Sequence, residues 1–202
     1  MTSPDPRIAF FDYHARSWDD DGPPAAQTLA RLDTLRPTLP LGPGQELLEV
    51  GCGTGQVTAW LTRCVEPGRV TAVDFSPAMI EKARARGTTA DFRCADVCTD
   101  ALGFERFDVA WLMHCYPHFR DGAAALRNIA RALMPEGSLI ILHLDSWANI
   151  NAFHAAMGGV IASDKLPDPG EWPGLIEQAG LQLVELSEGE DLFYLRAQKP
   201  AP

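Results

Sequence analysis

The chain has 202 residues, 46% of them hydrophobic and 22% charged, with a formal net charge of -10. That length suits one domain, 1–202, with a full core, and the composition is that of a globular protein rather than a disordered or membrane-spanning one. A surface this acidic repels phosphate backbones, so nucleic acid is excluded as an expected partner.

The stretch from Met1 to Arg16 has no apolar run ahead of a small-residue cleavage site, so it does not read as a leader; the expected location is the cytoplasm, with no membrane partner. Leu29, Leu32 and Leu35 share one helical stripe and predict a helix near 24–36. The turn-rich PTLPLGPG (37–44) then closes an N-terminal helical segment, 1–44. From Glu46 onward, strand and helix patterns alternate. The apolar runs are LLEV (47–50), RVTAVD (69–74), ADFRC (90–94), FDVAW (107–111) and SLIILHL (138–144). Ser76-Pro77 supplies an N-cap and a first-turn proline for a helix reaching about Arg86, on which Lys82, Arg84 and Arg86 read as a solvated face. Leu126, Ile129, Ala130 and Leu133 follow helical spacing, with Pro135 and Gly137 as stop signals. Near-continuous apolar strands alternating with helices indicate an α/β fold with a mostly parallel sheet, covered on both faces.

After 144 the rhythm breaks. Segment 145–170 is long for a connection in such a fold and reads as a mobile cover, with a short helix over 148–158. A last helix carries Trp172, Leu175, Ile176 and Ala179 on one face. Strands at 181–188 and 191–199 follow, antiparallel because only Gly189-Glu190 separates them. Five cysteines without a C-x-x-C pair make a disulfide framework or a cysteine zinc site unexpected.

The strongest local signal is Leu47-Leu48-Glu49-Val50-Gly51-Cys52-Gly53-Thr54-Gly55. A buried strand runs into glycines at every second position, and a helix follows at once. Glycines let a backbone approach a ligand closely, and a helix N-terminus offers N–H groups to an anion. Dinucleotide enzymes use G-x-G-x-x-G around a pyrophosphate. The G-x-G-x-G spacing here, with Glu49 just before it, suits a compact zwitterion whose ammonium meets the acid and whose carboxylate meets the amides. Asp74 ends the second strand, where a carboxylate can accept both hydroxyls of a ribose. Asp96 follows the third strand, within reach of an adenine amino group.

The run from Glu46 to Leu144 resembles the class I S-adenosylmethionine-dependent methyltransferases in its glycine motif, Asp74, Asp96, the FDVAW strand and the LMPEGSLIIL element. The resemblance implies a seven-stranded sheet in the order 3-2-1-4-5-7-6, the last strand antiparallel, with helices on both faces. It implies S-adenosylmethionine as the cofactor and methyl transfer to a small acceptor as the activity. Glu49, Gly51, Cys52, Gly53 and Gly55 would then line the methionine part, and Asp74 the ribose. Phe75 and Met79 would flank the adenine, Asp96 and Val97 would meet its edge, and Leu112 and Met113 would lie beside the methionine end. An N-terminal aromatic, Tyr13 or Trp18, would close over the cofactor. The sequence LMHCYPHF (112–119) stands where base-methylating relatives carry an Asn-Pro-Pro-Tyr-like motif, which argues against a nucleobase acceptor.

Four of the five histidines, His114, His118, His143 and His154, fall after the fourth and fifth strands, where the acceptor is expected. Some small members of the family are similar in having Pro-His-Phe, a strand-end His, Asn-x-x-His and Leu-Pro, matched here through Asn151, His154, Leu166 and Pro167. His118, His143 and His154 are the candidate catalytic residues: a neutral imidazole suits an acceptor that must lose a proton. The same three could instead bind a metal, or only orient loops. No metal is expected from their spacing. An NAD(P)-dependent oxidoreductase and a catalytically silent cofactor-binding subunit remain as alternatives, and the sequence leaves the oligomeric state open.

Overall fold

The computed structural model describes residues 5–202, which divide between Asp96 and Val97 into two compact units. Met1 to Pro4, where the reading for a leader begins, lie outside the described residues. In the first unit, α1 (Pro6–His14), α2 (Trp18–Asp21) and α3 (Ala25–Leu35) precede β1 (Glu46–Val50), α4 (Thr58–Val65), β2 (Arg69–Asp74), α5 (Pro77–Ala85) and β3 (Asp91–Cys94). The second unit holds β4 (Phe107–Met113), α6 (Gly122–Ala132), β5 (Leu133–His143), α7 (Trp147–Met157), α8 (Trp172–Gln178), β6 (Gln182–Glu188) and β7 (Phe193–Gln198). The strands form one seven-stranded sheet in the order β3-β2-β1-β4-β5-β7-β6. Strand β2 runs parallel to β1 and β3, and β4 runs parallel to β5. Strand β7 is antiparallel to both β5 and β6. The expected topology is thus the observed one.

Burial explains the strands. Leu47 and Leu48 are adjacent and point to opposite faces, yet both are buried, as are Val70, Ala72 and Val73 in β2 and Leu139 to Leu142 in β5. Capping explains the helix starts. Ser76 Oγ accepts from Met79 N at 3.1 Å with Pro77 in the first turn of α5, and Asp121 Oδ1 accepts from Ala124 N at 2.8 Å before α6. Helix α6 then buries Ala125, Leu126, Ile129 and Ala130 as one stripe.

Two readings of the sequence need correction, the end of α6 and the closing turn. Helix α6 stops at Ala132, and Leu133 to Gly137 belong to β5: Leu133 pairs with Phe107, and the register then jumps so that Ser138 pairs with Val109. The periodic Leu133 is buried by this pairing rather than by the helix. The Lys82, Arg84 and Arg86 face is exposed, as expected, and its side chains also donate to carbonyls: Lys82 Nζ to Arg16 O at 3.0 Å, Arg84 Nη2 to Phe92 O at 2.7 Å and Arg86 Nε to Thr54 O at 2.6 Å. The closing hairpin turns over Gly189 to Leu192, with Gly189 N donating to Leu192 O at 2.8 Å.

Two glycines separate close approach from mere permissiveness. A Cβ on Gly68 would lie 2.1 Å from Gln45 O and 2.7 Å from Gln45 N, so Gly68→Ala should destabilise the protein by about 1–3 kcal/mol. A Cβ on Gly174, inside α8, meets nothing within 4 Å, so Gly174→Ala should stabilise by about 0.5–1 kcal/mol. Urea unfolding of both variants checks the opposite signs.

Candidate active site

The glycine loop is built in the first unit. Gly51, Gly53 and Gly55 have φ of 68°, 53° and 79°, a region that side chains with a Cβ rarely adopt. Gly51 N and Cys52 N both donate to Val73 O, at 2.8 and 3.1 Å, which bends the chain over the end of β2. At Gly55 a Cβ would press on Ala83 of α5 at 3.1 Å. The loop is braced by the residue assigned to the ribose: Asp74 Oδ2 accepts from Gly53 N and Oδ1 from Ser76 N, each at 2.9 Å. Asp74 therefore fixes the loop and the start of α5 with the same carboxylate.

Glu49, on β1, is fully buried and accepts from Thr58 Oγ1 at 2.7 Å. Burial pushes its carboxyl up to about 8; the Thr58 hydroxyl opposes this and the negative Asp74 adds to it. A buried acid facing another acid is an unfavourable arrangement that an ammonium group relieves. The positive-φ glycines and this acid fit the zwitterionic end of S-adenosylmethionine, whose ammonium Glu49 would face.

The adenine candidates lie beside the N-terminal helices. Phe75 packs on Phe11 with ring centroids 5.6 Å apart, and Met79, 1% exposed, is buried with Phe11 and Ala15. Asp96 follows β3 and is half-buried. Of the two N-terminal aromatics, Tyr13 is 76% exposed, whereas Trp18 stacks edge-on against Phe11 and places its Nε1 3.8 Å from where a Cβ on Gly53 would be. Two acids missed in the sequence secure these helices. Asp12 Oδ1 accepts from Ser76 Oγ at 2.5 Å and Ala78 N at 3.1 Å. Asp19 accepts from Thr54 Oγ1 at 2.5 Å, from Gln56 Nε2 at 2.8 Å and from Arg86 Nη2. Burial alone would raise the Asp19 carboxyl, but Thr54, Gln56 and the charges of Arg86 and Lys82 together hold it below its ordinary value.

The second unit carries Val97 and Leu112, both buried, and Met113 at the end of β4. It also gathers the four histidines. His114 has φ 55°, and its Nε2 accepts from Leu144 N at 3.2 Å, which ties the chain after β4 to the chain after β5. That bond requires an unprotonated Nε2. His143 ends β5, 1% exposed, with its ring centroid 5.1 Å from that of His114. Burial, then the charges of His114, His118 and His154, hold it well below the ordinary histidine value. His118 and His154 lie with centroids 4.9 Å apart. Burial and the neighbouring His118 push His154 down to about 4, against a raising effect from Asp164. His143 Nε2 and His154 Nδ1 are buried without a hydrogen-bond partner. His118 Nδ1 lies 2.8 Å from Oδ2 of Asp164, a fully buried side chain that sequence reasoning passed over. Among the described residues, no three His, Cys, Asp or Glu side chains are grouped so as to hold a metal ion. No described helix is long and apolar enough to cross a membrane.

A methyltransferase domain model matches residues 48–141 of the chain. Over 192 residues the chain is 31% identical to a ubiquinone biosynthesis O-methyltransferase of Xanthomonas oryzae pv. oryzae, covering 85% of this chain and 78% of that one. Over 195 residues it is 30% identical to an O-methyltransferase of Pyrenophora dematioidea, covering 85% and 68%. Its fold is similar to that of DhpI in complex with SAH, at a TM-score of 0.74 and 21% identity over 96% of this chain and 95% of that one. The chain belongs to the class I S-adenosylmethionine-dependent methyltransferases. It is an enzyme of that family, with S-adenosylmethionine as its cofactor.

The raised Glu49 carboxyl has a testable sign. The folded protein holds its proton up to about pH 8, while the unfolded chain releases it near 4.5. Stability from this group is present below the unfolded value and is lost as pH rises through the folded one. Glu49→Gln mimics the protonated form, so its stability advantage over the wild type should grow by on the order of a few kcal/mol from pH 5 to pH 8. Urea unfolding of both proteins at the two pH values reads this directly, and a constant difference would refute the assignment.

Proposed function

We propose that the protein moves a methyl group from S-adenosylmethionine to a hydroxyl oxygen of a small molecule. The observation that carries this reading is the set of buried neutral imidazoles in the second unit, His143 and His154 beside His118. A sulfonium methyl needs no acid to be transferred, whereas a hydroxyl acceptor must lose a proton, and neutral imidazole accepts one. The O-methyltransferase relatives support the same acceptor atom. The net charge of -10 weighs against nucleic acid.

In this reading Glu49 faces the cofactor's ammonium, and the Gly51, Cys52, Gly53 and Gly55 backbone holds its carboxylate. Asp74 takes the ribose, and Phe75, Met79 and Asp96 take the adenine. Family likeness adds Val97, Leu112 and Met113. Segment 145–170 serves as the acceptor cover, and the whole chain works as one domain. The cover is internally tied: Asn151 Nδ2 donates to Leu166 O at 3.0 Å, Asn151 Oδ1 accepts from Leu166 N at 2.8 Å, and Trp147 Nε1 donates to Leu166 O at 3.0 Å.

Purified protein should form SAH and a methyl ether from catechol, 4-nitrophenol or an aliphatic alcohol, and not from amine or thiol counterparts. Methylation of only the amine or thiol would reject the hydroxyl reading; cofactor binding without turnover of any acceptor would mark a silent subunit. Because Asp74 also braces the loop, Asp74→Asn is the cleaner probe than alanine. Calorimetry should show it weakening S-adenosylmethionine binding by about 1–3 kcal/mol, from the altered bonds to the ribose hydroxyls.

A further inference from the structure

The four imidazoles of the second unit are not equivalent. His114 uses Nε2 to accept from Leu144 N. His143 is 1% and His154 6% exposed, while the His118 side chain keeps 14% of its surface open. His118 is also the ring set against a carboxylate, Asp164 Oδ2 at 2.8 Å from Nδ1. An ionised carboxylate can only accept, so Nδ1 carries the hydrogen and Nε2, on the far side of the ring, carries the lone pair. The position of Asp164 is itself determined: two residues on, Leu166 has both backbone polar groups held by the Asn151 amide, and Leu166 is 1% exposed.

We propose that His118 is the general base for the hydroxyl acceptor and that Asp164 and Asn151 are positioning residues that fix its tautomer and orientation. This rests on the hydroxyl reading above. The hydroxyl proton passes to His118 Nε2, the oxygen's electron pair forms the new bond to the methyl carbon, and the pair from the breaking C–S bond stays on sulfur. Asp164 stabilises the imidazolium that results, and His118 then releases the proton to solvent. The logic is that of the Asp–His pair in serine proteases, where the buried acid orients the ring without itself taking the proton. The crowd of imidazoles sharpens the assignment. Only the His118 ring has a carboxylate against it, and the His154 ring packs on it with centroids 4.9 Å apart, so an imidazolium formed at His118 would face the negative Asp164.

Two acceptors separate a base from a merely structural residue. Catechol is un-ionised near neutral pH and needs its proton removed; 4-nitrophenolate has already lost its own. His118→Gln and Asp164→Asn should each lower kcat for catechol about 10²–10⁴-fold, with KM little changed and 4-nitrophenolate turnover lowered less than about tenfold. Asn151→Ala should follow the same pattern at about one tenth of the effect. Equal losses on both acceptors, or an unchanged kcat for catechol in Asp164→Asn, would overturn the proposal. So would catechol turnover that a chelator abolishes and added zinc restores. Long-range ¹H–¹⁵N spectra read the pair without any turnover. The wild type should show His118 with its hydrogen on Nδ1, and Asp164→Asn and Asn151→Ala should shift or broaden that signal. A wild-type hydrogen on Nε2 would refute the positioning roles even in a protein that methylates hydroxyls; no methyl ether from wild type would refute the acceptor class instead.

Discussion

A strand buried on both faces gives an ionisable side chain little room except toward its end, and the candidate site of this protein depends on that restriction. The buried ionisable residues of β1 and β2 are Glu49 and Asp74, each in the last two positions of its strand. In the second unit β5 runs through Leu139 to Leu142 before His143 closes it. Because β1 and β2 run parallel, this confinement brings Glu49 and Asp74 to the same end of the first unit's strands. The loops then have one task, which is to supply the partners those groups lack.

The partners differ in kind between the two units. In the first, the buried groups are acids, and backbone amides do the stabilising: Gly53 N and Ser76 N hold Asp74, while Glu49 has a single hydroxyl and stays protonated. In the second, the buried groups are bases held neutral by desolvation, with one carboxylate, Asp164, among them. Glu49, His143 and His154 are thus held toward the uncharged form, which lowers the cost of burying them.

How much of this the sequence discloses depends on whether the partners are neighbours in the chain. The strand–glycine–helix element is contiguous, so Glu49 through Gly55 could be read as a ligand loop; the buried runs indicated a mostly parallel sheet, and its strand order came from the family resemblance alone. Asp74 was legible as an acid at a strand end, but its two amide partners were not, because they follow from how Gly53 turns. Asp164 gave no local signal; its partner His118 is 46 residues away. Asp12 and Asp19 were hidden in the same way, since the groups they hold lie between 35 and 67 residues on. Helical spacing put Lys82, Arg84 and Arg86 on the water-facing side, where they lie; that their long side chains also reach carbonyls was not legible. At Leu133 the helical period was real, and strand pairing with Phe107 overrode it.

The attachment of the N-terminal helices is uneven along its length. At Phe11, Ala15 and Met79 it is apolar and buried. At Asp19 it is ionic, with side-chain exposures of 39% for Asp19 and 35% for Arg86. Dissolved ions weaken an exposed pair and scarcely touch an apolar contact. Raising ionic strength therefore screens the Asp19–Arg86 pair, while the hydrogen bonds from Thr54 and Gln56 to Asp19 and the packing of Trp18 on Phe11 keep their strength. The seat of these helices on the glycine loop is thus only partly exposed to the surrounding electrolyte.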